Sequence, residues 1–348
     1  DLANYKVLWV EPLHMKYKDL DVYGMPPPSS SVTWMEALKI AEGFDWSKIE
    51  DNSLEYLHLM VEIDRLAHAD SYEFVADPKF VESQAENLLS DNYAAAQRLR
   101  IDRKKAAPGK VQPGNPAEWS RKVPASAALP DSLASEPVSL AESTRNMAYR
   151  GNTNHVVVVD KDGNCVSFTH TLGQFFGGQD ILGNTGVIGN NGMDWFDLAD
   201  NPWTEKPSNL IVAPGKRNRW TLSPGMFFQN GKPRILVGGS GAESTMPGIF
   251  QVMIRMLEYK LNPQAAISSP RFLYGDMYHY SAGTRLAIEP ELRSLWEKDM
   301  VRMGHDSVPG SQIWRMSSGN VWVIEIDPET GTYAGGAEVR GDGHVDAF

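Results

Sequence analysis

The chain has 348 residues, 42% of them apolar, enough to bury a substantial core in one large or two ordinary domains and too many for chain-wide disorder. A formal net charge of −11 argues against a nucleic-acid partner, which needs a basic footprint for phosphates. The single cysteine, Cys165, rules out an intrachain disulfide or a cysteine-based zinc site, and no apolar run approaches the ~20 residues that span a bilayer.

In chain order, Asp1 follows no methionine or signal-like segment, which we read as a processed or incomplete N-terminus that leaves the compartment open between cytoplasm and periplasm or exterior. Lys6–Val10 and Leu20–Tyr23 read as short strands before Met25-Pro26-Pro27-Pro28, where three prolines stop a ladder and favour a rigid extended turn. Ser29-Ser30-Ser31 offers an N-cap to a helix over Val32–Glu42. A second helix fits Leu54–Ala69, with Leu54, Leu57, Val61 and Leu66 near one face. Its His58 and His68 are ten residues apart, a spacing unsuited to one shared metal, so both read as surface or packed side chains. After Asp77-Pro78, Ser83–Arg103 reads as one helix closing in Arg98, Arg100 and Arg103, charges that suit a helix C-terminus. From Ala106 to about Ser143 the composition turns to Pro, Ala, Ser and Gly, that of a linker.

Asn152 to Asp160 reads Asn-Thr-Asn-His-Val-Val-Val-Val-Asp. The four valines favour a buried strand with Thr153 at its mouth, and Asp162-Gly163 suits a tight turn into a second strand over Cys165–Leu172. Cys165 reads as a packed strand residue. Taken alone, these nine residues are those of a strand that happens to begin with threonine. The accessible stretch before them is cuttable, however, and a threonine with a free α-amine carries nucleophile and base in one residue. Further strands fit Val187–Gly189, Trp220–Phe228 and Arg234–Gly238, with Asn230-Gly231 as a hairpin turn. Gly238 to Thr245 follows a strand and opens a helix over Pro247–Tyr259. Such a loop presents backbone N–H groups to an anion or oxyanion, and without a Gly-Lys-Ser/Thr ending it is no nucleotide site. A helix over Pro290–Met303 and strands at Val321–Ile326 and Tyr333–Glu338 complete an α+β layered fold.

Asp1-Leu2-Ala3-Asn4-Tyr5, Met25-Pro26-Pro27-Pro28-Ser29-Ser30, Ala67-His68-Ala69-Asp70, Thr153-Asn154-His155, Val158 to Asn164, Asn190-Asn191-Gly192-Met193-Asp194 and Ser223-Pro224 occur in an order that resembles the γ-glutamyltranspeptidase-like branch of the N-terminal nucleophile hydrolases. The resemblance implies a four-layer αββα sandwich and a precursor that cuts itself between Asn152 and Thr153. Residues 1–103 would then belong to a large-subunit-like region, 104–152 to a linker ending at the cut, and 153–348 to a small-subunit-like catalytic region. It also implies a further N-terminal region that supplies part of the fold and an arginine for the substrate carboxylate. The working molecule would be an assembly of processed heterodimers, with neither cofactor nor metal. Thr153 would be the nucleophile, Thr171 the second threonine that hydrogen-bonds it, and the N–H groups of Gly241 and Ala242 the oxyanion hole. His155 would make a structural hydrogen bond near the site.

At the positions where the family grips the substrate's α-amino and α-carboxyl groups, the chain departs from its pattern. Gly173 stands for an asparagine, Gly192 for an acceptor residue, Trp195 for the aspartate that holds the ammonium, and Trp220 with Thr221 for a serine pair. An ammonium deprived of its charge partner is desolvated with little return, and two tryptophans favour flat or apolar groups. The expected activity is therefore an amidohydrolase or acylase acting on a small-molecule amide, with water as acceptor. A γ-glutamyltransferase or glutathione hydrolase whose Asp194 holds the ammonium is the alternative, as is an uncut binding protein without chemistry. Trp195 and Trp220 as ordinary core residues is the competing reading of the departures.

Overall fold

The structure, a computed structural model, describes residues 6–119, 153–174, 176–197, 207–275, 285–307, 319–341 and 343–348. Strands β1 (Leu13–Tyr17) and β2 (Leu20–Gly24) form a hairpin. The first strand is thus not Lys6–Val10, whose side chains from Val7 to Val10 are all exposed. In β1, Met15 and Tyr17 alternate with polar His14 and Lys16, the period that a half-buried strand requires.

Helix α1 (Ser31–Ala41) follows, with Ser30 at its N-cap position but no side-chain cap bond. Helix α2 (Leu54–Phe74), capped by Ser53 Oγ accepting from Tyr56 N–H, runs five residues past the expected end at Ala69 and is buried from Tyr56 to Tyr72. The expected single helix over 83–103 is two, α3 (Ala85–Leu88) and α4 (Asp91–Arg98). Ser90 separates them, its Oγ accepting the Tyr93 N–H as an N-cap; local capping defeats continuity here. Residues 106–119 pack on α2: Arg65 Nη2 donates to the carbonyls of Ala107 (2.9 Å) and Gly109 (2.6 Å). The remainder of the linker stretch, with Asn152, lies outside the described residues.

Strands β3 (Thr153–Val159) and β4 (Cys165–Thr171) make a hairpin whose connection is the whole of 160–164, organised by Asp160 Oδ1 accepting from the N–H groups of Asp162 and Asn164. Strand β5 (Gly225–Gln229) begins at Gly225, not at Trp220; Trp220 makes only an isolated bridge with Ser29. Strand β6 (Lys232–Ser240) follows through Asn230 and Gly231, both at positive φ (52° and 76°), as a two-residue hairpin turn needs. Then come α5 (Thr245–Leu257), α6 (Pro263–Ser268), β7 (Phe272–Tyr274), β8 (Arg285–Ile288), α7 (Pro290–Met303), β9 (Asp306–Ser307), β10 (Asn320–Ile326) and β11 (Tyr333–Gly336). Elements α6 and β7 to β9 went unpredicted, and the expected strand Val187–Gly189 is reduced to one bridge, Ile181 to Ile188.

One antiparallel sheet runs β1-β2-β5-β6-β10-β11, and β7-β8-β9 form a small second sheet. Strands from residues 13–24 and from residues 225–336 therefore share one sheet. Ile235 and Val237 of β6, which packs on α5, join the main core, whereas Leu236 does not. Gly238, on the Leu236 side of the pleat, meets the β3–β4 hairpin instead: a Cβ there would lie 2.1 Å from the His155 ring. The hairpin is held by Ser167 Oγ donating to Val237 O at 2.9 Å. Among the described residues only one face of the hairpin is packed. Val156, Val158, Val166 and Phe168 are each 44 to 53% exposed, so the valine run is not the fully buried strand its composition suggests. Among the described residues no helix is long and apolar enough to cross a membrane.

Candidate active site

The register of the hairpin sets Thr153 opposite Thr171, and their hydroxyl oxygens are 2.9 Å apart. Both residues are half-buried. Thr171 Oγ1 also accepts the Gly173 N–H at 2.8 Å, which orients it and leaves its proton able to donate to Thr153 Oγ1.

From Thr171 the backbone turns sharply. Gly173 has φ 85°, and a Cβ there would fall 2.0 Å from Asn191 Oδ1. That oxygen accepts the Gln174 N–H at 2.7 Å, while Asn191 N–H donates to Leu172 O at 3.0 Å. Asp194 Oδ2 accepts from Asn191 Nδ2 (2.8 Å) and Gln174 Nε2 (2.7 Å). Next to it Gly192 donates its N–H to Asn190 Oδ1 (2.8 Å) and accepts from Asn218 Nδ2 (2.7 Å). A Cβ on Gly192 would lie 2.7 Å from the Trp220 indole. Two of the departures from the family pattern are thus one steric event: Trp220 fills the space that a side chain at 192 would need. Trp195 and Trp220 are half-buried, with ring centroids 6.2 Å apart, so neither is a core residue. Trp220 is anchored through its backbone to Pro28 (2.9 Å) and Ser30 (2.8 Å). Thr221 is buried beneath, its carbonyl accepting from Ser223 Oγ. Gly173, Gly192, Asp194, Trp195 and Trp220 therefore form one connected wall leading away from Thr171.

The expected loop from Gly238 is shorter than its sequence suggests. Strand β6 continues to Ser240, and the turn is confined to Gly241 (φ 127°), Ala242 (φ 52°) and a short 3-10 turn over Ala242–Ser244 that leads directly into α5 at Thr245. Gly241 O accepts from both Ser244 N–H (3.1 Å) and Ser244 Oγ (2.5 Å). The strand that delivers this turn is the one on which β3 and β4 pack.

His155 lies on the packed face of β3 with Thr153. Its Nδ1 is 2.7 Å from Thr169 Oγ1 and its Nε2 3.3 Å from Ser167 Oγ, so both ring nitrogens are engaged by β4 hydroxyls. Burial pushes its pKa down to about 4, which keeps the ring neutral. His58 and His68 are buried too, and His58 acquires a partner from the far end of the chain: Nδ1 is 2.8 Å from His305 Nε2. With Glu62 these are a metal-ligand grouping, all donor atoms lying within 4.8 Å. Glu62 already accepts from Arg65 Nη1 (2.5 Å) and Ala107 N–H (3.0 Å), and a guanidinium so close opposes a cation. The cluster reads as a hydrogen-bonded tie between α2 and the end of α7.

Sequence reasoning missed Asn191, Asn218, Arg219 and Glu243 as site supports. For Asn191 the Asn190-Asn191-Gly192-Met193-Asp194 run was a signal. The two members of the Arg219–Glu243 pair are far apart in sequence and gave none.

With the hairpin, its hydroxyl pair and the α+β core described, the class of the chain follows: it belongs to the Gamma-glutamyltranspeptidase family, whose model matches residues 1–348. It is similar to the Glutathione hydrolase-like YwrD proenzyme of Bacillus subtilis (strain 168), 30% identical over 346 residues covering 99% of this chain and 57% of the relative. It is also similar to the Acylase ACY 1 proenzyme of Pseudomonas sp. (strain SE83), 28% identical over 344 residues covering 99% and 53%. Among solved structures, cephalosporin acylase from Bacillus halodurans superposes with a TM-score of 0.78 at 28% identity, over 100% of this chain and 55% of that one. The chain spans about half the length of the curated relatives it matches.

Proposed function

We propose that this chain carries the catalytic centre of a self-processing amidohydrolase or acylase with Thr153 as its N-terminal nucleophile. The observation that carries this reading is the Thr153–Thr171 hydroxyl pair at 2.9 Å at the start of β3. In the proposed maturation, Thr153 Oγ1 attacks the Asn152 carbonyl, and hydrolysis of the resulting ester frees the Thr153 α-amine. With a reference pKa of ~7.7–8.0, that amine takes the hydroxyl proton near neutral pH. The hydroxyl then attacks the substrate amide, the N–H groups of Gly241 and Ala242 hold the tetrahedral oxyanion, and the departing amine takes the proton. Water, deprotonated by the same α-amine, hydrolyses the acyl-enzyme. Each oxyanion donor of this kind is worth ~2.7–4 kcal/mol in the transition state.

The acylase reading is supported by the wall. Gly173 and Gly192 have no room for the family's polar side chains, and Trp220 occupies part of that space. A second reading, γ-glutamyl hydrolysis, is favoured by one observation: the Asp194 carboxylate belongs to the same wall and is exposed. We further propose that a preceding region completes a four-layer sandwich by covering the open face of the β3–β4 hairpin, with residues 1–103 and 153–348 in separate subunits after processing through the linker at 104–152.

Intact-mass spectrometry of the full polypeptide with acyl and γ-glutamyl p-nitroanilides tests the reading. A fragment beginning at Thr153 and an acyl adduct on it are expected, both absent in Thr153→Ala. A Thr153→Ala protein that still cuts would refute the nucleophile, an uncut and unreactive wild type would favour a binding protein, and robust γ-glutamyl turnover would replace the acylase reading with the second one.

A further inference from the structure

We infer that the buried Arg219–Glu243 ion pair is a positioning strut for the oxyanion turn, an inference that rests on the assignment of Thr153 as nucleophile. Arg219 is fully buried and its Nη2 donates to Glu243 Oε1 at 2.5 Å. Its Nη1 donates to Ser71 Oγ on α2 at 3.0 Å, and its guanidinium lies over the Tyr72 ring at 4.6 Å. Glu243 is itself buried and directly follows Ala242. A buried ion pair adds little stability over an apolar pair of the same volume, so its use lies in the geometry it imposes.

The neighbouring backbone needs such a constraint. Ala242 has φ 52°, a left-handed conformation that a residue with a Cβ holds only when its surroundings fix it. The bonds from Ser244 to Gly241 O close the turn locally, but they do not set where it points. The strut does. Residue 219 adjoins Trp220, whose backbone is bonded to Pro28 and Ser30, and Asn218 bonds the Gly192 carbonyl. One ion pair therefore fixes the turn that carries the Gly241 and Ala242 N–H groups against both α2 and the wall. Shifting those donors weakens the hold on a tetrahedral oxyanion while leaving ground-state binding by the wall in place.

The test uses the full polypeptide carrying Glu243→Gln, Arg219→Lys, or the uncharged pair Arg219→Met with Glu243→Gln, which removes both charges of the ion pair together. Acylation is read as the burst with acetyl, phenylacetyl and γ-glutamyl p-nitroanilides, and oxyanion binding as affinity for phenylboronic acid, which mimics the tetrahedral state. The expected result is a fall in acylation rate and in boronate affinity of about 10- to 100-fold, with the substrate concentration that half-saturates the burst rate within about 3-fold of wild type. The uncharged pair is expected to regain the wild-type Tm but not the acylation rate; it decides the matter if the single variants do not fold. Wild-type acylation in the folded pair variant, or losses confined to the half-saturating concentration of the burst that spare boronate binding, would overturn the strut alone. A wild type that forms no acyl-enzyme would overturn the nucleophile reading and the strut together.

Discussion

Gly192 and Trp220 show how a single side chain reshapes a binding wall. Because a Cβ at 192 would lie 2.7 Å from the indole, Gly192→Ala is expected to cost ~1–3 kcal/mol by overpacking and much less once Trp220→Ser has opened the space. Urea denaturation of both singles and the double would give a coupling of about 1–2 kcal/mol; additive effects would contradict the steric link. His155 acts on stability by another route. Its folded pKa of about 4 lies below the unfolded value of ~6.5, so the unfolded chain binds the extra proton and stability is lost as pH falls from about 6.5 towards 4. The loss reaches about 3 kcal/mol for a shift of this size. Burial, with His58 beside it, pushes His305 down to about 3, so it adds to the same acid sensitivity. His155→Asn is expected to flatten the urea midpoint against pH over this window, and a profile parallel to wild type would refute the assignment.

Among the elements, α1, α2, α4 and the start of the linker converge on one buried carboxylate. Asp70 Oδ2 accepts from Tyr93 Oη (2.6 Å) and Gln97 Nε2 (2.5 Å), and Oδ1 accepts the Gly114 N–H (2.6 Å). Glu36 of α1 is fully buried, and its burial together with the Asp70 charge raises its pKa well above the ordinary carboxyl value. A folded pKa above the unfolded one makes Glu36 most favourable at low pH, with stability lost as pH rises through the unfolded pKa of ~4.3. Glu36→Gln is thus expected to match wild type near pH 4 and to exceed it increasingly towards pH 8. Thermal melts across that range check this, and an advantage that does not grow with pH would sink it. At this scale the sequence was readable where a periodic pattern met a strong local signal. Helix α7 matches its expected span, and the Asn230-Gly231 turn forms because both residues tolerate positive φ. The reading failed where local chemistry interrupts a pattern, as at Ser90, and where an apolar run such as Val7 to Val10 pairs with no strand among the described residues and stays more than half exposed.

For the whole molecule, the exposed face of the hairpin, with Val156, Val158, Val166 and Phe168, is where the proposed covering region can be tested. If a preceding region covers it as proposed, Val158→Lys and Phe168→Lys in the full polypeptide each cost ~1.5–3 kcal/mol in urea denaturation. If the face meets solvent, each stays within about 0.5 kcal/mol, and the fourth layer is refuted. The α+β class and strands β3 and β4 followed from sequence by itself, and the proposed site residues Thr153, Thr171, Gly241 and Ala242 were named from it, because β-branched runs, turn residues and family motifs act over a few neighbours. Why Gly173 and Gly192 tolerate no side chain and how Arg219 meets Glu243 were decided by the tertiary structure alone. Those facts depend on strand register and on contacts between residues that only packing brings together. Thr153, an ordinary strand start when nine residues are read alone and a proposed nucleophile once the family motifs are added, has the Thr171 hydroxyl 2.9 Å away because strand register pairs the two.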